Sequence, residues 1–288
     1  MTSGLTFWAT ATPCFCLLAS RSATGNGGRA VGRCPACTAG RSSNGLEIAA
    51  PGDHLDDHCL GWKPMCKGGR VSEMTDQLGD RLRALYDNAS FGGDPTALDQ
   101  GASEIKAAEA QLALARGRFL HARFFVDHED RPEQLDQLTK ATELFHELGD
   151  MRGEAEATFW AAIYHQVIHH DETTAVPLLE RAQTLAGAAN DLLVMSYVVR
   201  HLGFVDVNAE QFDPAHEKFE ESVRLRRQIG FLPGVAAGLV ALAELAATMA
   251  DRPTAQCYLE EASTICSETD SKGAMRWISQ VREEHGLT

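Results

Sequence analysis

The chain lacks any apolar run able to span a bilayer. The best candidate, residues 235–250, is alanine-rich and broken by Glu244 and Thr248, whereas a membrane helix needs about 20 predominantly apolar residues. No Gly-x-x-x-x-Gly-Lys-Ser/Thr loop occurs, and the run Gly25-Asn-Gly-Gly-Arg-Ala-Val-Gly32 follows no strand and opens no helix, so no phosphate cradle is encoded. A Gly-x-Ser-x-Gly nucleophile elbow is missing as well. Basic charge is scarce where it would matter. Residues 1–73 carry seven Lys/Arg against five Asp/Glu, which leaves 19 against 35 for residues 74–288. So acidic a body speaks against nucleic-acid binding, because phosphate contacts need a basic face. Cysteine is sparse in the same region: six of eight lie before residue 67, and only Cys257 and Cys266 follow. The body therefore needs no disulfides, and a cytoplasmic location with no membrane contact is expected.

Residues 1–73 have no sustained periodicity and are rich in Gly, Ser, Ala and Arg, which predicts disorder. A secretory reading of Leu5 to Ser20 lacks a basic flank and is interrupted by Pro13. A zinc reading of Cys34, Cys37, Cys59 and Cys66, with His54 and His58, has one Cys-x-x-Cys of ligand spacing, a second pair six residues apart, and no framing hairpin. Composition, charge sign and cysteine density all change near Met74. There Thr75 is placed to cap a helix with Leu78, Leu82, Leu85 and Tyr86 on one face. The working protein is expected to begin near Met74, with residues 1–73 a disordered tail or an extension upstream of the true start. Residues 74–102 then form a helical lead-in, with a short helix from Asp94-Pro95 ending at Gly101 and Ser103, and residues 103–288 a repeat domain.

What the body does have is a repeat of about forty residues. Ala175, Ala215 and Ala255 share a column, as do Leu179, Phe219 and Leu259, and Ala182, Ser222 and Ala262. Leu138 and Ala141 join the last two columns if the register slips by one residue. Acidic corners, often marked by proline, recur at 128–132, 170–172, 210–214 and 250–253, and proline fits the first turn of a helix. The pattern predicts helices at 104–126, 132–148, 154–168, 174–186, 191–209, 213–229, 234–250 and 253–266, and an amphipathic cap at 272–285. In each pair the first helix is apolar almost all round and must be covered by stacked neighbours. Ala107, Ala108, Leu112, Leu114, Ala115, Phe119 and Leu120 are expected to be buried. The second helix has one apolar stripe. In 213–229 Phe212, Ala215, Phe219, Val223 and Leu225 face inward, and Glu217, Lys218, Glu220, Glu221, Arg224 and Arg226 face water.

Leu202-Gly203 with Ala215, Phe219 and Ser222, and Leu242-Ala243 with Ala255, Leu259 and Ala262, resemble the tetratricopeptide repeats in their Leu-Gly, small, large, small spacing. The resemblance covers about residues 104–270. Its period is about forty against the family's usual thirty-four, like the extended repeats of bacterial regulatory proteins, and Asp206 and Ala246 stand where an aromatic is usual. The resemblance implies an all-α, right-handed α-solenoid of stacked antiparallel helix pairs whose concave face binds a protein or peptide. Carried over by column, that face holds Arg116, Phe119, Arg123, Trp160, Tyr164, Val167, Tyr197, Arg200, Phe204, Asn208, Glu244 and Thr248. Arginine and aromatic side chains are the types that anchor interfaces, and in an acidic protein they suit a peptide with acidic and apolar side chains. The same aromatics also fit a role as packing between helices.

Histidine offers the remaining chemistry. His165 and His169 stand at i, i+4 beside His170 and Asp171, a spacing that two metal ligands can share, but no Glu-x-x-His pattern supplies more. The expectation is a non-enzymatic scaffold or adaptor with no cofactor and no metal, binding a protein or peptide, with a homodimer admitted. A ligand- or peptide-sensing regulator is the first alternative, and a metal-dependent enzyme at His165 and His169 the second.

Overall fold

The computed structural model describes residues 71–287, and side chains from residue 77 onward. The expectations for residues 1–70, including the secretory and zinc readings, lie outside the described residues. Ten α-helices run α1 (Val71–Ser90), α2 (Thr96–Asp127), α3 (Glu133–Leu148), α4 (Met151–Ile163), α5 (Glu172–Ala188), α6 (Leu192–Asn208), α7 (Phe212–Gln228), α8 (Leu232–Thr248), α9 (Arg252–Thr269) and α10 (Lys272–His285), with a π-helical turn at Tyr164–Ile168 after α4. Among the described residues there is no strand. The fold is all-α, with helices packed in neighbouring pairs as an α-solenoid requires. None is long and apolar enough to cross a membrane.

Two compact units divide the described chain, residues 71–194 and residues 195–287. In the first, α1 packs on α2, α2 on α3, α3 on α4 and α4 on α5. In the second, α8 is enclosed by α7, α9 and α10, and α9 also meets α10.

The corners follow one rule. A residue with left-handed backbone stands at His128, Gly149, His170, Asn190, Glu210, Gly230, Ala250 and Asp270, one every twenty or twenty-one residues. At six of the eight the next backbone N–H then reaches back to the carbonyl five residues earlier, as Asp150 does to Phe145, Asp191 to Ala186, Gln211 to Asp206 and Asp251 to Ala246. This is the Schellman closure, which satisfies carbonyls left open at a helix end. At four corners that next residue is an aspartate that caps the following helix: Asp150 accepts from Gly153 N at 3.0 Å, Asp171 from Thr174 N at 3.1 Å, Asp191 from Val194 N at 3.0 Å and Asp251 from Thr254 N at 3.2 Å. Such caps are worth about 1 kcal/mol each.

All three repeat columns are buried at 0–1 % exposure, and so are Leu138 and Ala141. Gln134 completes the earlier copy in the first column; its Nε2 lies 3.5 Å from His121 Nδ1. The slip of one residue has a structural cause in the π turn. There Asp171 N bonds to His165 O, six residues back rather than five. A π turn holds one more residue than an α turn between its hydrogen-bonded groups, so the insertion is absorbed before Leu179 and the columns stay buried on both sides of it. Small residues in the first helices set how closely pairs approach. A Cβ on Gly117 would lie 2.5 Å from Leu138 Cδ2, and one on Gly203 2.6 Å from Phe219 Cε1.

Several expectations need correction. Gly101 and Ser103 do not end a helix; α2 runs unbroken through them for 32 residues, because the following turns propagate hydrogen bonds at little cost once a helix is nucleated. Helix α1 begins at Val71, so Thr75 lies inside it rather than at its cap. Leu112 and Phe119 are 50 % and 78 % exposed rather than buried, and Arg226 is buried at 2 % rather than facing water.

Candidate functional site

Helix α2 buries Ala110, Ala113, Leu114, Gly117, His121 and Phe124 on one side. On the other, Leu98, Ile105, Leu112, Phe119 and Val126 are 65, 48, 50, 78 and 82 % exposed. These five stand seven residues apart. Seven residues are nearly two helical turns, so the side chains drift by only about 20° per step and form one stripe. Five large apolar side chains in a row are not the scattered exposure that any surface shows. Arg116 and Arg123 stand four residues after Leu112 and Phe119, on the adjoining face. Arg116, Phe119, Leu120 and Arg123 join Glu133 and Gln137 of α3 around an open depression of about 490 Å³. A second depression of about 580 Å³ is lined by α7, α8 and α9. Its cations are already paired, Arg224 with Glu221 at 2.6 Å and Arg227 with Glu261 at 2.5 Å.

The remaining residues of the expected face divide by burial. Trp160 is half-buried, 5.2 Å from the His121 ring, with the Arg118 guanidinium 5.8 Å from its centroid. Tyr164 opens the π turn and is 4 % exposed, and its hydroxyl donates to Asp130 Oδ1 at 3.0 Å. Burial and that carboxylate push its pKa up to about 12. Val167 is buried beside it in the same turn. His169 Nε2 lies 3.3 Å from Asp130 Oδ2, while the His165 and His169 rings are 6.4 Å apart. This cluster ties the π turn to the corner at 128–132.

In the second unit Tyr197 and Asn208 are half-buried, and Arg200, Phe204 and Glu244 are buried. Arg200 stacks on the Phe204 ring at 4.6 Å, and Phe204 meets Phe219 at 5.0 Å. Thr248 Oγ1 donates to the Glu244 carbonyl at 2.9 Å. Glu244 is the sole acid of α8, and burial, followed by repulsion from Glu284, raises its carboxyl well above the usual range.

Arg226 was expected to face water and is instead buried. Its guanidinium donates to Gly234 O at 2.8 Å and Ser196 Oγ at 3.3 Å, and lies 5.2 Å from the Tyr197 ring. Burial pulls its pKa down to about 9, so it remains charged at neutral pH. No carboxylate neighbour gave a sequence signal. The stripe on α2 did carry one: counting by sevens from Leu98 finds it, whereas the forty-residue period does not.

No protein-family model matches the chain, and no curated protein matches it.

Proposed function

We propose that this chain is a non-catalytic scaffold or adaptor, built of tetratricopeptide-like pairs, that binds a helical protein segment along α2. The observation that carries this reading is the stripe Leu98, Ile105, Leu112, Phe119 and Val126, large, apolar and exposed at seven-residue spacing. A seam of that period fits an amphipathic helix laid along it. Arg116 and Arg123 beside the seam favour a partner with acidic side chains flanking its apolar face, because a guanidinium forks onto a carboxylate. The small-on-large contacts of Gly203 with Phe219 and Gly117 with Leu138 support the tetratricopeptide-like part of the reading. Burial of Tyr164, Arg200, Phe204 and Glu244 moves the favoured surface away from those residues and onto Phe119, Arg116 and Arg123.

The test is co-purification from the native host with wild-type and Phe119→Glu chains. The account expects a partner retained by the wild type and lost by the variant, with unchanged helicity. Equal capture by both would contradict it. A dimer in sedimentation that Phe119→Glu splits would assign the face to a second copy of this chain.

A further inference from the structure

Helix α8 carries a single ionisable residue, Glu244, which is 1 % exposed. A carboxyl in such a place is costly unless hydrogen bonds or an opposite charge compensate it. Its Oε2 accepts no hydrogen bond. The last turn of α10 brings Glu284 and His285 to it, so that ligand atoms of all three lie within 4.8 Å of one another. Arg252 holds that turn in place, donating to His285 O at 2.8 Å and to Gly286 O at 2.5 Å. Two carboxyl groups and an imidazole are thereby brought together at the edge of a core.

We propose that Glu244, Glu284 and His285 form a binding site for a divalent transition ion of the zinc class, joining α10 to α8. Two carboxylates balance the ion's charge, and the imidazole selects against calcium and magnesium, which prefer all-oxygen shells of six or more ligands. Three protein ligands leave at least one position for water. Bond lengths of about 2.0–2.2 Å require the three groups to draw together by roughly an ångström. Glu284 is exposed and His285 half-buried, so both have room to move onto the fixed Glu244.

The test uses the full chain, stripped with chelator and then equilibrated with zinc chloride, with bound metal counted by mass spectrometry. Cysteines elsewhere contribute equally to every variant, so the difference between chains is what counts. Glu284→Gln and His285→Gln should each bind one equivalent less than wild type, and zinc should raise the melting temperature of the wild type more than theirs. Glu244→Gln should lose the same equivalent while folding at least as well as wild type without metal, since a neutral amide replaces a buried acid. Were Glu244→Gln to misfold, the exposed-side variant Glu284→Gln decides alone. Equal zinc content in wild type and Glu284→Gln would overturn the site.

Discussion

Helices α2 and α8 are both long, alanine-rich first members of pairs, yet they end in opposite environments. In α8 twelve of seventeen residues are buried, because α7, α9 and α10 surround it. In α2, α1, α3 and α4 cover one side and leave the stripe from Leu98 to Val126 in water. An apolar helix predicts that something covers it. For α8 the cover is the chain itself; among the described residues nothing covers the stripe on α2. The contrast separates residues kept for packing from residues whose apolar character the fold does not use.

The sharpest way to break this comparison is to truncate one leucine on each helix. Leu239→Ala in α8 should cost about 2–5 kcal/mol, the usual range for a cavity in a closed core. Leu112→Ala in α2 should cost about 0.5 kcal/mol or less, as surface changes do. Urea titrations read both; equal losses would show that α2 is covered in solution by the chain's own residues.

A pH titration sharpens the inner face of α2. His121 is buried against Trp160 and Phe125, and burial pulls its pKa from 6.5 down to about 4. Between those values the unfolded chain binds a proton that the folded chain excludes, so this contribution is complete above pH 6.5 and is lost as pH falls toward 4. The total is about 3 kcal/mol. His121→Leu should flatten that slope in denaturation midpoints measured across the window; an identical slope in both chains would remove His121 from the buried face.

Gly203→Leu tests the close approach of α6 and α7. With Phe219 already 2.6 Å from where a Cβ would stand, overpacking should cost about 1–3 kcal/mol, read as a lower melting temperature. The smallest expected stability effect is that of Phe119→Glu, within about 0.5 kcal/mol. Binding, not folding, is what that substitution should change.

Much of the helical order was legible. The small, large, small columns mark buried faces because only those sizes fit between paired helices, and the cap helix from Lys272 to His285 was placed to the residue. The corners were harder, since only two of the eight left-handed residues that close the repeating helices, Gly149 and Gly230, are glycines; the others are His, Asn, Glu, Ala and Asp. The π turn was invisible as such, although its one-residue insertion surfaced as the slip between Leu138 and Leu179. For the candidate site, Phe119 and Arg123 emerged from a column argument, while their exposure could not. Column position says which side chains align along a helix, and only the arrangement of neighbours says whether anything covers them. Arg226 failed for the same reason in reverse. Its partners are the Ser196 hydroxyl and the backbone carbonyls of Ser196 and Gly234, and none advertises itself in sequence.

The central claim, that the outer stripe of α2 is a binding face, is tested most directly by placing a photo-crosslinking amino acid at Leu112 and irradiating cells of the native host. A discrete crosslinked species from Leu112, absent when the same residue replaces the exposed Glu180 on α5, is the predicted result. No adduct at Leu112, or the same adducts from both positions, would contradict it.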